Sequence, residues 1–195
     1  MLRCGFRAQL RRERWTDAPT PMLTLEVSNL HWIKGADDDP TDLCAHGTVN
    51  LQIGEYVLPG LASLDCTVSA AALYLLRSLS RSHRRGEQEH LFPCCGFAMY
   101  DIPEKDDVFI CGCPTGIDVD ILHESSGIVI HMPDRTIHHV SKPIWRDAVF
   151  TFADRVAEFY RSSSPKRPSA DDAAGFRKFV QEWSSRRGAP LLDIP

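Results

Sequence analysis

The sequence predicts a single α+β domain, in which a mostly antiparallel sheet carries one helix inserted early and two helices at the C-terminal end. Residues 91–132 contain short apolar runs separated by turn-like segments, a spacing typical of an antiparallel meander. Two stretches nearer the start alternate apolar and polar residues and predict strands, whereas three others place apolar residues every three or four positions and predict helices. With strands first and helices last, the order of elements favours one α+β domain.

We expect this domain to span residues 22–188 of the 195-residue chain, a length that suffices for one well-buried core. Residues 1–21 carry five arginines without any sustained apolar period, which predicts a disordered arm. Gly188 is expected to end the last helix, and residues 189–195 are therefore expected to form a loose tail.

The first two strands have the clearest alternation. Leu23, Leu25 and Val27 alternate with polar residues, and the pattern returns at residues 48–53, so each strand is expected to bury one face. Gly54 leaves two alternatives open, because it either begins a tight turn or marks a bulge in a longer strand. The meander turns are expected at residues 101–107, 113–116 and 123–127, and a fifth strand at residues 136–140.

Three amphipathic helices complete the prediction. The first runs over residues 68–79 with a single apolar stripe, so we expect it to cover one face of the sheet, and Gly86 stops it. The second opens at residues 141–143, and the third follows Ser169 and Asp172, which resemble a capping box with Asp in place of Glu. The residues expected on the buried sides of the last two helices are Trp145, Val149, Phe152, Val156, Phe159, Phe176, Phe179, Val180 and Trp183.

The charge of the chain argues against a nucleic-acid partner. The whole chain has 22 basic and 26 acidic residues, and the arm holds five arginines against Glu13 and Asp17, so the remainder has 17 basic and 24 acidic residues and a net charge of −7. Binding to phosphates needs clustered Lys and Arg, whereas an acidic body suits a basic protein partner. No apolar run approaches the roughly 18 residues that span a membrane, so no membrane association is expected.

Two acidic loops and one aromatic residue form the predicted partner-binding surface. Residues 37–42 contain four aspartates, more than a solvated turn requires, so we expect them to be surplus to folding and to attract a basic partner. Trp32 would serve as an aromatic anchor near this loop. The full set of predicted contact residues is Trp32, Asp37, Asp38, Asp39, Asp42, Asp106, Asp107, Asp118 and Asp120.

The chain contains seven cysteines, an odd number without an export signal, which indicates reduced thiols and a cytoplasmic protein. Side chains alternate faces along a strand, so Cys94 and Cys95 should point in opposite directions, and at most three sulfurs should meet where a closed zinc site needs four ligands. We therefore expect the thiols to pack as small apolar residues and to hold no metal. The candidate ligands for the alternative, a structural zinc site, are Cys94, Cys95, Cys111 and Cys113, with His90 or His131.

A second alternative is a metal-dependent enzyme that uses Asp118 and Asp120 with a nearby His such as His123. On a strand both carboxylates share one face, where they could hold a metal ion or carry out acid–base chemistry. The same alternation describes the solvent face of an ordinary amphipathic strand, which is the interpretation we favour. The sequence has no G-x-S-x-G, G-x-G-x-x-G, Walker or H-E-x-x-H motif, so we expect a non-catalytic protein without a cofactor and leave an enzyme open.

Four stretches look like parts of a group of small bacterial proteins: TVSAAALYLLRSL at Thr67–Leu79, LFPCCG at Leu91–Gly96, GCPTGIDVDI at Gly112–Ile121 and ADRVAEFY at Ala153–Tyr160. In general layout the chain is similar to immunity proteins of polymorphic toxin systems. The resemblance implies a compact, acidic, cytosolic α+β protein that binds and blocks a toxin domain. It assigns no role to any particular residue.

Overall fold

The computed structural model describes residues 22–33, 38–87, 89–96 and 98–192, and the predicted arm at residues 1–21 lies outside these ranges. The predicted fold class is confirmed. Within the described ranges, three α-helices pack with several antiparallel sheets around a continuous cluster of buried apolar residues, and every strand precedes the two C-terminal helices.

The N-terminal sheet has antiparallel strands, and one face of its middle strand is buried, as the alternation predicts. Gly54 has a φ of 61°, and Ile53 pairs with Tyr56. A tight two-residue turn therefore follows the middle strand, and the bulge alternative does not apply at Gly54. The strands, in their order across the sheet, are β1 (Leu23–Trp32), β2 (Ala45–Ile53) and β3 (Tyr56–Val57).

The first helix, α1 (Val68–Arg77), is buried on all sides rather than along one stripe. The prediction of a single stripe is wrong because Tyr74, expected on the outer face, is only 6% exposed. The helix packs against β2 and against both C-terminal helices. Small side chains such as Ser69 and Ala72 make this possible, since they let neighbouring elements approach closely.

The described part of residues 91–140 confirms the antiparallel pairing but divides it among small separate sheets. The last three strands form a meander, whereas the earlier runs pair as two-stranded ribbons. The pairs are β4 (Phe92–Pro93) with β7 (Gly116–Ile117), β5 (Ala98–Tyr100) with β6 (Phe109–Cys111), and β9 (Ile128–His131) with both β8 (Asp120–His123) and β10 (Ile137–Val140). A Cβ at Gly112 would lie 2.2 Å from the carbonyl oxygen of Cys95, so these backbones are in close contact just beyond the end of the β5–β6 pairing.

The two C-terminal helices, α2 (Lys142–Ser162) and α3 (Ala173–Arg187), begin and end close to the predicted positions. Ser141 caps α2, because its Oγ accepts a hydrogen bond from the Ile144 backbone N–H at 3.4 Å. The predicted stripes are buried, except that Phe159 is half-buried. Of the helices in the described ranges, none has both the length and the apolar character needed to cross a membrane.

The C-terminal segment differs from the predicted loose tail. Gly188 ends α3 with a φ of 71°, as predicted. Leu191, three residues further on, is 0% exposed and belongs to the core. The prediction of a loose tail is therefore wrong for the described residues 189–192, because an apolar side chain beyond the helix end finds a place in the core.

Candidate functional site

The first acidic loop is bound within the chain. Asp38 accepts a hydrogen bond from Lys166 Nζ at 2.8 Å and another from the Ser164 backbone N–H. The hydrogen bond from Lys166 holds the pKa of the Asp38 carboxyl below its usual value. Lys166, whose side chain is 1% exposed, also donates to the Asp39 carbonyl oxygen at 3.2 Å. These acids thus attach the segment between α2 and α3 to the loop between β1 and β2, and Asp38 is not surplus to folding; Asp37 lies outside the described residues.

The predicted aromatic anchor is wrong, because Trp32 is a core residue with 3% exposure. Its indole Nε1–H donates to Ser163 Oγ at 3.2 Å, and its ring packs against Phe159 and Tyr160. Asp42 is also buried, and its carboxylate accepts the Cys44 backbone N–H at 3.3 Å. Neither Trp32 nor Asp42 presents a surface to a partner.

Asp107 belongs to an ion cluster that joins α1, α3 and the start of β6. It lies 2.5 Å from Arg81 Nη2 and 2.5 Å from Arg186 Nη2, and Arg77 Nε lies 3.9 Å away. Burial alone would raise the pKa of Asp107, but the three arginines outweigh it and lower the pKa to about 2. Asp107 therefore serves the packing of α1 on α3.

Glu182 on α3 completes the same cluster. Its carboxylate, 4% exposed, accepts two hydrogen bonds from the Arg77 guanidinium at 2.8 Å and one from Arg186 Nε at 2.6 Å. It also accepts the Val108 backbone N–H at 2.8 Å. Because every one of these charges has a close partner of opposite sign, the cluster fixes the start of β6 against the two helices.

Asp118, Asp120 and His123 do not converge on one point. Asp118 accepts hydrogen bonds from His83 Nε2 at 2.7 Å and from the Leu91 backbone N–H at 2.9 Å. Asp120 binds the Arg85 backbone N–H at 2.7 Å, and the Nε2–H of His123 donates to the Ser78 carbonyl oxygen at 2.8 Å. These contacts hold the segment after α1 against β8. The arrangement gives no support to the metal or acid–base alternative for these residues.

The β5–β6 hairpin is where apolar and acidic groups remain exposed together. Tyr100 and Phe109 are 52% and 41% exposed, pair across the two strands, and have ring centroids 6.2 Å apart. In the turn between them Glu104 and Asp106 are exposed, and neither forms an ion pair with the described part of the chain. Neither aromatic residue is among the contact residues predicted from the sequence, because strands of three residues are too short for alternation to define an outer face.

The inner face of this hairpin is firmly held. Met99 and Ile110 are 4% and 2% exposed and point into the core. Gly175 lies in α3 directly against β5, where a Cβ would come within 1.8 Å of the Met99 carbonyl oxygen. Only a residue without a side chain permits this approach. The exposed aromatic pair therefore stands on a rigid support.

A cleft of about 610 Å³ lies beside Phe109, between the hairpin and the segment after α1. Glu87 and Glu89 line its far side and are exposed. Arg77 and Arg81 also line the cleft, but their charges are paired with the ion cluster described above. The exposed Lys105 lines the cleft as well. The cleft thus offers an aromatic ring, two carboxylates and one ammonium group to a ligand.

Three cysteines form a second cluster, away from the hairpin turn. The Sγ atoms of Cys94, Cys95 and Cys113 lie within 4.8 Å of one another. The expectation that Cys94 and Cys95 point apart is wrong, because β4 ends at Pro93 and the alternation of a strand does not extend to them. The other candidate ligands are outside this group: Cys111 is exposed on β6, His131 Nδ1 lies 3.8 Å from Asp120, and His90 does not belong to the group either.

The surroundings of the three thiols lower the pKa of Cys113 and raise the pKa values of Cys94 and Cys95. A hydrogen bond with Cys94 and another with Cys95 lower the pKa of Cys113 to about 7, whereas the bond to Cys113 and partial burial raise the pKa of Cys94 to about 12. Burial raises the pKa of Cys95 as well. Of the three thiols, Cys113 is therefore the one that ionises most readily, and it is the best placed to act as a nucleophile or metal ligand.

Comparison with protein-family models, with curated proteins and with solved structures finds no match for this chain. A functional proposal therefore depends on the hairpin, the cleft and the thiol cluster themselves.

Proposed function

We propose that the chain is a non-catalytic protein-binding module of the immunity type, which binds and neutralises a basic toxin domain through the β5–β6 hairpin. We call the contact area the hairpin surface: the aromatic pair Tyr100 and Phe109, with Glu87, Glu89, Glu104 and Asp106 around it. The observation that carries the proposal is the exposure of two neighbouring aromatic rings on a rigid support.

The aromatic pair supplies the binding energy in this proposal. Tyr and Phe are enriched in the centres of protein interfaces, where a few large rings contribute most of the affinity. A partner that covers Tyr100 and Phe109 would remove their apolar surface from water. Each Å² of apolar surface buried in this way stabilises the complex by about 25 cal/mol. Because the inner face of the hairpin is held by the core and by α3, little conformational entropy would be lost on binding.

The acidic groups around the rings favour a partner of positive charge. Four of the predicted contact residues already bind groups of this chain: Asp38, Asp107, Asp118 and Asp120. We therefore assign the charged part of the partner contact to the acidic residues that remain exposed. A Lys or Arg of the partner could enter the cleft beside Phe109 and approach Glu87 and Glu89. Complementary charge of this kind speeds association and rejects acidic competitors.

The proposal predicts that a toxin domain is encoded beside the gene of this chain, and the test uses that domain. We expect the wild-type chain to bind that domain and to restore growth of cells that express it. The variant Tyr100→Ala with Phe109→Ala should weaken binding, measured by titration calorimetry, by at least about 30-fold, the effect of losing one strong interface residue.

Ile137→Ala provides the matched control, because Ile137 is 53% exposed on a different sheet. It should leave binding and growth unchanged. A wild-type chain that neither binds the toxin domain nor protects the cells would refute the proposed function. Equal affinities of the double variant and of Ile137→Ala for that domain would refute the hairpin surface.

A further inference from the structure

Three thiols converge where two loops of the chain lie side by side. The Sγ atoms of Cys94, Cys95 and Cys113 lie within 4.8 Å of one another, and among the described residues this is the group of His, Cys, Asp or Glu side chains placed to share one ion. We infer that these three thiols bind a thiophilic metal ion, Zn²⁺ or Cu⁺, as thiolates. The inference rests on the cysteine geometry alone and does not depend on the hairpin surface.

The distances between the sulfurs suit a single ion after a small adjustment. With a Zn–S bond of about 2.3 Å, two sulfurs on one tetrahedral ion are about 3.7 Å apart. Cys94 Sγ and Cys113 Sγ, now 2.8 Å apart, would separate by about 1 Å, and the remaining pairs already lie within 4.8 Å. Rotation of side chains that are only partly buried is sufficient for this change.

The backbone around the thiols is arranged to bring them together. Pairing of β4 with β7 continues to a hydrogen bond from the Cys94 backbone N–H to the Thr115 carbonyl oxygen at 3.2 Å, which places the two cysteine-bearing loops side by side. Gly112 then allows the closest approach, because a Cβ there would lie 2.2 Å from the Cys95 carbonyl oxygen. The Cys113 backbone N–H donates to Cys95 Sγ at 3.0 Å, the kind of contact that orients and stabilises a thiolate ligand.

The number of sulfurs limits the choice of ion. Cys111 is exposed on β6 and does not belong to the group, so a closed four-cysteine zinc site is not formed by the described residues. Zn²⁺ would keep a fourth, solvent-facing position, whereas Cu⁺ is a soft ion that thiolate ligands select. A disulfide between Cys94 and Cys113 would leave Cys95 unused and would need an external oxidant, so metal binding accounts for all three thiols.

The experiment titrates the full chain, reduced and freed of metal under argon, with Zn²⁺ and separately with Cu⁺ against a chromophoric chelator. We expect one equivalent of at least one ion to bind with a Kd on the order of 1 μM or tighter. Each bound thiol releases its proton, so binding should acidify a weakly buffered solution and should raise the thermal midpoint.

Two serine variants decide the assignment. Cys113→Ser should weaken binding by at least about 100-fold, whereas Cys111→Ser, on the neighbouring strand but outside the group, should bind as the wild type does. If Cys113→Ser fails to fold, judged by circular dichroism, Cys95→Ser takes its place. Absence of binding by both ions, retention of affinity in the ligand variant, or an equal loss in Cys111→Ser would each overturn the inference.

Discussion

Lys166 Nζ lies 3.3 Å from the centroid of the Trp32 ring while it donates a hydrogen bond to Asp38 at 2.8 Å. The ammonium group is thus held between an aromatic face and a carboxylate, with its side chain 1% exposed. This contact explains why an acidic loop that looks like a docking surface in the sequence belongs to the architecture of the fold. It joins β1 to the segment between α2 and α3.

Asp38→Asn should therefore destabilise the protein, because the buried ammonium of Lys166 would lose its counter-ion. Breaking a fully buried ion pair costs about 3–5 kcal/mol, but Asp38 is 33% exposed and partly screened by water. We expect the free energy of unfolding, measured in urea, to fall by about 1–3 kcal/mol.

The double variant Asp38→Asn with Lys166→Met is the control for this prediction. It removes the uncompensated charge and keeps an apolar contact with Trp32, so it should recover part of the lost stability. A single variant as stable as the wild type would show that Lys166 does not need Asp38.

Asp107 should make the free energy of unfolding decrease more steeply as the pH falls. Its folded-state pKa of about 2 lies below the ordinary unfolded value of about 3.9, so its contribution is present above pH 5 and is lost as the pH falls towards 2. Asp107→Asn should lower the free energy of unfolding at pH 7 by about 1–2 kcal/mol and should flatten its decline between about pH 5 and pH 2. Chemical unfolding across this pH range measures both effects.

Asp106→Asn is the matched control, because Asp106 is the exposed neighbour of Asp107. Its stability should follow the wild-type pH curve within about 0.5 kcal/mol. Identical curves for the Asp107 and Asp106 variants would contradict the role of the arginine cluster.

Leu75→Ala should be among the most damaging single changes. Leu75 is 0% exposed at the centre of α1, which other elements enclose on all sides, so the cavity cannot collapse easily. A loss of about 2–5 kcal/mol is expected in urea unfolding, against less than about 0.5 kcal/mol for Ile137→Ala on the exposed side of β10. A small effect of Leu75→Ala would contradict the enclosed position of the helix.

Gly175→Ala should reverse the usual effect of this substitution in a helix. Alanine is normally favoured over glycine in a helix by about 1 kcal/mol, but at Gly175 its Cβ would lie 1.8 Å from the Met99 carbonyl oxygen. We expect a lower thermal midpoint and faster amide exchange in β5, because the helix and the strand would have to separate. Ala174→Gly, on the exposed side of α3, isolates the propensity effect and should leave β5 unchanged; a stabilised Gly175→Ala would show that the two backbones can move apart.

Local patterns in the sequence predict the elements of this fold well. The alternation around Val49 and Leu51 and the apolar spacing from Trp145 to Val156 are set by neighbouring residues, and both give the observed burial. Gly188 ends α3 because a left-handed conformation there depends on one residue. Such features need no knowledge of distant parts of the chain.

Long-range contacts were the part that the sequence did not reveal. Asp38 is bound by Lys166, 128 positions away, and Asp107 by Arg186, 79 positions away, so each acid looked free in its local context. The alternation rule failed at Cys94 and Cys95 because a two-residue strand ends before them. The same short strands leave Tyr100 and Phe109 exposed, and nothing in their immediate neighbours separates an outward from an inward face.

Hydrogen–deuterium exchange of the chain, alone and with a toxin domain that it binds, tests the hairpin surface most directly. Binding should slow exchange in peptides that cover residues 98–111, and in the segment containing Glu87 and Glu89, while peptides that cover Ile137 stay unchanged. Slowed exchange confined to the β8–β9–β10 sheet or to the loop containing Asp38, with the hairpin unaffected, would contradict the account.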